Sequence, residues 1–185
     1  HLVAAIAVVE ALRDRHMHVI AELLGDDAGA GEIAADTSVM FDELAHLVEA
    51  LSVLGHVTER SLDAISSAGE RLSAPLVTAA LVRAGVDAVL VDSRDVMITD
   101  ASFGRAEPLT EAIATACRDR LAPLLHNGKV PVLGGYLGAT VDRITTTLGR
   151  GGSDYSASLL GAALGADAIE IWTDVDGMLT ADPRT

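Results

Sequence analysis

The stretch Thr145-Thr146-Thr147-Leu148-Gly149-Arg150-Gly151-Gly152-Ser153-Asp154-Tyr155-Ser156-Ala157 sets a glycine-rich turn directly before an Ala/Leu helix, expected over Gly152 to Leu164. The glycines permit close backbone approach and positive φ. A helix start adds unpaired N–H groups and the positive end of its dipole. Together these features suit a small anion. Arg150 contributes a planar fork that can grip two oxygens, and Ser153 a hydroxyl donor. The same residues also fit a plain turn in which Ser153 or Asp154 only caps the helix. Two familiar phosphate cradles are excluded. A P-loop would need a glycine where Pro123 stands and Ser or Thr where Val130 follows Gly128-Lys129. A dinucleotide fingerprint starting at Gly149 would need its third glycine at Asp154, whose carboxylate would repel a pyrophosphate.

Outward from this block, short β-branched runs alternate with helical periodicity. Val86 to Val91 predicts a strand covered on both faces, ending at Asp92, and a shorter strand is expected at Val96 to Thr99. Leu109 to Leu125 has helical spacing. Val130 to Leu133 predicts another strand, followed by a glycine-rich segment, and Ala168 to Trp172 a further strand before an acidic loop. This order implies an α/β fold with a mainly parallel sheet and helices on both sides. The amino-terminal part reads as mostly helical. One helix is expected from Leu2 to Leu24 with Gly25 as its stop, and Gly25 to Asp36 reads as a connection. A second helix takes in Phe41 through Leu54. A third starts at the N-cap Thr58 and runs toward Arg83, with an interruption expected near Pro75.

The chain has 185 residues, a size suited to one domain core. With 27 Asp+Glu against 13 Lys+Arg its formal charge is −14, which argues against nucleic-acid and anionic-membrane partners. Aromatic residues make up only 3%, so Ala, Val, Leu and Ile must fill the core. The single cysteine, Cys117, reads as a small core residue and fits a cytoplasmic setting. The apolar run Leu2 to Val9 is broken by Glu10 and Arg13, too short for a membrane span or a convincing signal peptide. His16 and His18 are not at the i, i+4 spacing of a helical metal site, and His46, His56 and His126 show no ligand spacing, so no protein-held metal is expected. No Gly-x-Ser-x-Gly elbow anchors a hydrolase triad.

Two further clusters accompany the glycine block. Trp172-Thr173-Asp174-Val175-Asp176-Gly177, followed by Asp182-Pro183-Arg184, begins where a buried strand should end. It could bind nucleotide hydroxyls and phosphate, or be an Asp-Gly turn with a surface arginine. Glu70, in Gly69-Glu70-Arg71-Leu72-Ser73, could be a solvated helical glutamate. In this order, and with Phe103-Gly104-Arg105-Ala106-Glu107-Pro108 and Gly135-Tyr136-Leu137-Gly138 between them, the clusters resemble the aspartokinases of the amino acid kinase family. The resemblance runs from about Glu70 to the end of the chain.

That resemblance implies a three-layer α/β/α sandwich and transfer of the ATP γ-phosphoryl group to the β-carboxylate of L-aspartate, with Mg²⁺ accompanying the nucleotide. Arg150, Gly151, Gly152 and Ser153 would hold the aspartate carboxylates, Glu70 its ammonium group, and Tyr136 would pack against it. Asp154 would be the organising aspartate that orients lysines at the transferring phosphoryl group. Thr173, Asp174, Leu179 and Arg184 would bind the nucleotide, Leu179 standing where an aromatic is frequent. Arg143 would add positive charge near the site. The family's Lys-x-Gly-Gly phosphate loop does not occur, and Ala139 to Ile144 lacks the glycine frequent in that turn. The expectation is therefore a partial catalytic domain over residues 1–185, without the amino-terminal phosphate loop, the carboxyl-terminal nucleotide region or the ACT domains, from a homo-oligomeric parent. Another amino acid kinase, or an inactive ligand-binding module, are the alternatives.

Overall fold

The computed structural model describes residues 2–25, 27 and 29–172. Four helices come first: α1 (Leu2–Leu24), α2 (Ala30–Leu54), α3 (Glu59–Ser66) and α4 (Ala68–Arg83). α1 has the expected bounds. α2 starts at Ala30, earlier than the sequence predicts, because Ala30, Ile33 and Ala34 pack on Ile20, Leu24 and Leu76 and so extend its buried stripe. Phe41 is buried with Val9, Ala68 and Leu72. The Arg13 guanidinium lies 5.9 Å from the Phe41 ring centroid and binds Asp42 at 2.6 Å.

Thr58 caps α3 as expected, its Oγ1 accepting the Ser61 N–H at 3.1 Å. The interruption expected near Pro75 falls instead at Ser67, and Pro75 lies within α4. Ser67 is fully buried and its hydroxyl donates to the Ala64 carbonyl at 3.1 Å, a local bond that competes with the helical ladder. Pro75 deprives the helix of one N–H only, and the flanking Ala74 and Leu76 are both buried against neighbours.

Five short strands follow among the described residues. β1 (Ala88–Leu90) pairs in parallel with β3 (Val130–Val132), Ala88 opposite Val130. β2 (Ile98–Thr99) runs parallel to β4 (Leu137–Thr140), which pairs antiparallel with β5 (Thr145–Thr147). The fold is thus α/β with small parallel and mixed sheets. The β4–β5 hairpin occupies part of the segment that the sequence presents only as glycine-rich. No strand forms over Ala168 to Trp172, contrary to expectation. Ile169, Ile171 and Trp172 are exposed, and no neighbouring strand among the described residues supplies hydrogen-bond partners.

The expected helix over Leu109 to Leu125 is α5 (Thr110–Ala116), a wide π turn at Cys117–Leu121, and α6 (Ala122–His126). Cys117 is fully buried with Val96, Met97, Ile113, Leu121 and Leu148, and burial pushes its thiol pKa up. It is the core residue its sequence context implies. α7 (Gly152–Leu164) covers this cluster with Leu159, Leu160 and Leu164. No helix among the described residues is long and apolar enough to cross a membrane.

Candidate functional site

The carboxyl ends of the parallel strands β1 and β3 lead into Asp92-Ser93 and Gly134-Gly135, the edge at which ligands enter open α/β sheets. Ser93 is buried, and its hydroxyl donates to the Gly134 carbonyl at 2.5 Å. Asp92 accepts from the Arg94 guanidinium at 2.5 Å and from the Arg94 amide at 2.9 Å. Burial pushes the Asp92 carboxyl up, but the Arg94 bonds and charge outweigh it and hold the group below its usual range.

Gly134 and Gly135 form a tightly packed floor with little room for side chains. A Cβ on Gly134 would stand 3.1 Å from the Glu70 Cβ, and one on Gly135 would stand 3.1 Å from the Ser153 Cα. Glu70 therefore flanks the dipeptide on one side and Ser153 on the other. The next residue, Tyr136, sets its ring against the α7 start, where a Cβ on Gly152 would lie 3.0 Å from Tyr136 Cδ2. Tyr136 has a φ of 69°, a left-handed conformation that its neighbours enforce. Its N–H donates to Ser156 Oγ at 3.0 Å, and its carbonyl accepts from the Leu148 N–H at 2.9 Å. Ser156 in turn donates to the Gly152 carbonyl at 2.6 Å.

At the start of α7 the N-cap is Gly151, with a φ of 76° and no side-chain cap. Ser153 and Asp154 sit in the first turn, so neither is the cap that the simpler reading of this block allowed. Their N–H groups find no backbone acceptor among the described residues. Arg150 is exposed just ahead of them. Glu70 is half-buried, and burial pushes its carboxyl above the usual range. The sequence motifs thus converge: Glu70, Tyr136, Gly152 and Ser153 surround one glycine floor, with Arg150 and Gly151 on the adjoining turn.

Other expected residues fall elsewhere. Asp154 lies exposed on the α7 first turn, but the lysines it would orient are not beside it. Lys129 is the single lysine of the sequence, and its Nζ donates to Asp87 at 3.2 Å at the opposite edge of the sheet, ahead of β3 and β1. Arg143 does not serve the site as expected. It turns the β4–β5 hairpin with a φ of 63°, in the segment that lacks a glycine, and pairs with Asp95. Thr173, Asp174, Leu179 and Arg184 lie outside the described residues.

The structure also adds residues that sequence reasoning missed. Ser93 could have been found, since it follows the end of a predicted strand. Ser156 could not, because nothing in a helical pattern tells which polar side chain will meet a distant backbone group. A cavity of about 230 Å³ opens beside Glu70, lined also by Arg71, Asp92, Ser93, Arg94 and Gly134. A larger one, about 700 Å³, lies between α2 and α4 and is mostly apolar. It touches none of Glu70, Tyr136, Arg150 and Ser153, so its chemistry does not match that of the motifs.

A half-buried carboxylate and a cation-bearing helix start flank a glycine floor on an α/β sheet edge, a geometry suited to a small charged ligand. Residues 4–185 match the amino acid kinase family, and the chain belongs to it. The curated relatives it matches include aspartokinases. Lysine-sensitive aspartokinase 3 of Escherichia coli K12 is 42% identical over 152 residues, covering 80% of this chain and 34% of the relative. The aspartokinase of Helicobacter pylori J99 is 36% identical over 171 residues, covering 91% of this chain and 41% of the relative. Among solved structures, E. coli aspartokinase III in complex with lysine and aspartate superposes with a TM-score of 0.83 at 36% identity, over 95% of this chain and 38% of that one. The same enzyme in complex with aspartate and ADP gives a TM-score of 0.65 at 35% identity, over 91% of this chain and 42% of that one. The chain therefore spans well under half the length of these relatives.

Proposed function

We propose that this chain is the aspartate-recognising part of an aspartate kinase catalytic domain, a three-layer α/β/α sandwich larger than these 185 residues. The observation that carries the reading is the glycine floor: Gly134 is pressed against Glu70 and Gly135 against Ser153. An anionic group and a helix start with free N–H groups thus stand on the two flanks of one glycine dipeptide, a charge pattern that an amino acid would match. Glu70 takes the ammonium group, while Arg150 and the Gly151, Gly152 and Ser153 backbone take carboxylate oxygens. Tyr136 packs against the carbon chain. Aspartokinase structures with bound aspartate, aligned over most of this chain, support aspartate as the ligand.

In the proposed reaction an oxygen of the aspartate β-carboxylate attacks the γ-phosphorus of ATP. The bond from that phosphorus to the β,γ-bridging oxygen breaks, and ADP leaves with 4-phospho-L-aspartate formed. The attacking carboxylate is already ionised at neutral pH, so no strong general base is required. Catalysis then rests on positioning and on neutralising phosphoryl charge. Thr173, Asp174, Leu179 and Arg184 are the proposed nucleotide contacts, and Asp154 organises cations brought in from outside this chain. Mg²⁺ would accompany the nucleotide and neutralise charge on its phosphates. We place the enzyme in the cytoplasm, as a homo-oligomer feeding lysine, threonine and methionine biosynthesis.

An ADP-release assay on the full-length enzyme, offering aspartate, glutamate, N-acetylglutamate and carbamate, should show turnover with aspartate alone; no preference for it would sink the assignment. On the 185-residue chain, calorimetry should show aspartate binding without turnover, since Lys129 is remote from the site.

Glu70→Gln separates binding from stability. Folding raises the Glu70 pKa, so its contribution to stability is present below the usual glutamate range and fades as pH rises through the raised value. The amide carries no such dependence. Thermal melts should show the variant gaining on the wild type as pH rises from the usual glutamate range through the raised value, while its aspartate affinity in mildly alkaline buffer falls by roughly tenfold or more. Unchanged aspartate affinity would refute the ammonium role.

A further inference from the structure

Asp63 lies in the middle of α3 and is only 2% exposed, yet it is not part of any motif that carries the proposed reaction. Both of its carboxylate oxygens are engaged. Oδ2 accepts the Gly104 N–H at 2.9 Å and the Thr147 N–H at 3.1 Å, and Oδ1 accepts the Thr147 hydroxyl at 2.6 Å. One buried carboxylate thus joins three segments distant in sequence: α3, the Phe103–Glu107 loop and β5.

Each of those segments leads to one side of the substrate site. β5 continues into Leu148, Gly149 and Arg150. The loop supports that turn from below: a Cβ on Gly149 would lie 3.2 Å from the Gly104 carbonyl oxygen, and the Ala106 N–H donates to the Thr147 carbonyl at 2.8 Å. On the other side, the Asp63 carbonyl accepts the Ser67 N–H at 3.0 Å. The Ser67 carbonyl in turn accepts the Arg71 N–H at 3.1 Å, at the start of α4 where Glu70 projects. Asp63 therefore grips the Arg150 turn through its side chain and the Glu70 helix through its backbone.

We infer that Asp63 is a positioning residue that sets the separation of Glu70 from Arg150, and so tunes the site to the length of its amino acid substrate. This rests on the aspartate kinase reading above. Asp63 is buried with both carboxylate oxygens bonded to the protein, out of reach of a ligand, and is not a catalytic residue. An asparagine with its oxygen in the Oδ2 place would keep both N–H bonds, but on an uncharged and weaker acceptor, and its NH₂ would make the Thr147 hydroxyl accept where it now donates, so the grip on the Gly104 loop and β5 loosens.

Steady-state kinetics of the full-length enzyme test this. Asp63→Asn should raise the aspartate KM by about tenfold and leave the ATP KM within about twofold. Thr147→Ser, which keeps the hydroxyl donor, should leave both KM values near wild type. An unchanged aspartate KM in a folded Asp63→Asn protein overturns the proposal, as does an equal rise in both KM values, which would mark a general structural role. If Asp63→Asn does not fold, Thr147→Val removes only the Oγ1 bond, and the same split of KM values decides. If the wild type does not phosphorylate aspartate, the reaction assigned above fails by itself. Hydrogen exchange then judges Asp63: faster exchange at Leu148 and Gly152, with α1 unchanged, supports the positioning role, and unchanged exchange at both overturns it.

Discussion

Arg150→Ala should lower kcat/KM for aspartate by about a hundredfold while leaving nucleotide affinity within a few fold. The guanidinium stands exposed on the turn between Gly149 and Gly151, so truncation disturbs no described contact in the protein itself. What disappears is a charge-assisted, two-pronged grip on a carboxylate. Hydrogen bonds to charged groups contribute about 1.5–3 kcal/mol each, and a loss near 3 kcal/mol corresponds to about two orders of magnitude. The remaining anion contacts, the N–H groups of the α7 first turn, are backbone and survive the change. Lysine at this position should recover only part of the loss, because a point charge cannot reproduce the fork. A variant with wild-type KM and kcat for aspartate would remove Arg150 from the site.

Gly138→Ala should have the largest effect on stability, about 3–5 kcal/mol, independent of what the protein binds. Gly138 is the second residue of β4, a strand paired on both sides and buried throughout. An added Cβ would lie 2.3 Å from the Met97 carbonyl oxygen and 3.0 Å from Thr99 Cγ2. The first of these is backbone and cannot swing aside. The same carbonyl accepts the Ala139 N–H at 2.9 Å, so relieving the clash pulls β2 from β4 and exposes a ladder bond in the middle of the core. Overpacking typically costs about 1–3 kcal/mol, and leaving buried backbone groups unpaired adds about 1–3 kcal/mol more. Against a total of about 5–15 kcal/mol for an ordinary domain, this should leave the variant partly unfolded at about 37 °C. Urea unfolding that shows a loss below about 1 kcal/mol would contradict the β2–β4 geometry.

The sequence made most of the helices and three of the strands, β1, β2 and β3, legible because their signals are local. α1 and α7 have the expected bounds, and Thr58 caps α3, since apolar periodicity and side-chain capping depend only on neighbours a few residues away. The misses share a cause. The β4–β5 hairpin is hidden by Gly134, Gly135 and Gly138, which lower strand propensity but are needed for close approach to Glu70, Ser153 and Met97. The break at Ser67 depends on buried side-chain bonds, whereas Pro75 is a strong local signal that α4 absorbs. Ala168 to Trp172 has strand composition, but composition supplies no partner strand.

By itself the sequence determined the class of the fold and the chemical types available for the site: a glycine turn before a helix, one arginine ahead of it and a helical glutamate far upstream. Tertiary structure alone decided that Glu70 and Ser153 flank the same dipeptide, that Arg143 is taken by Asp95, and that Asp63 joins α3 to β5. Periodicity and capping are encoded over one or two helical turns, while a hydrogen bond between residues 63 and 147 or a clash between residues 138 and 97 exists only after the chain has folded back on itself.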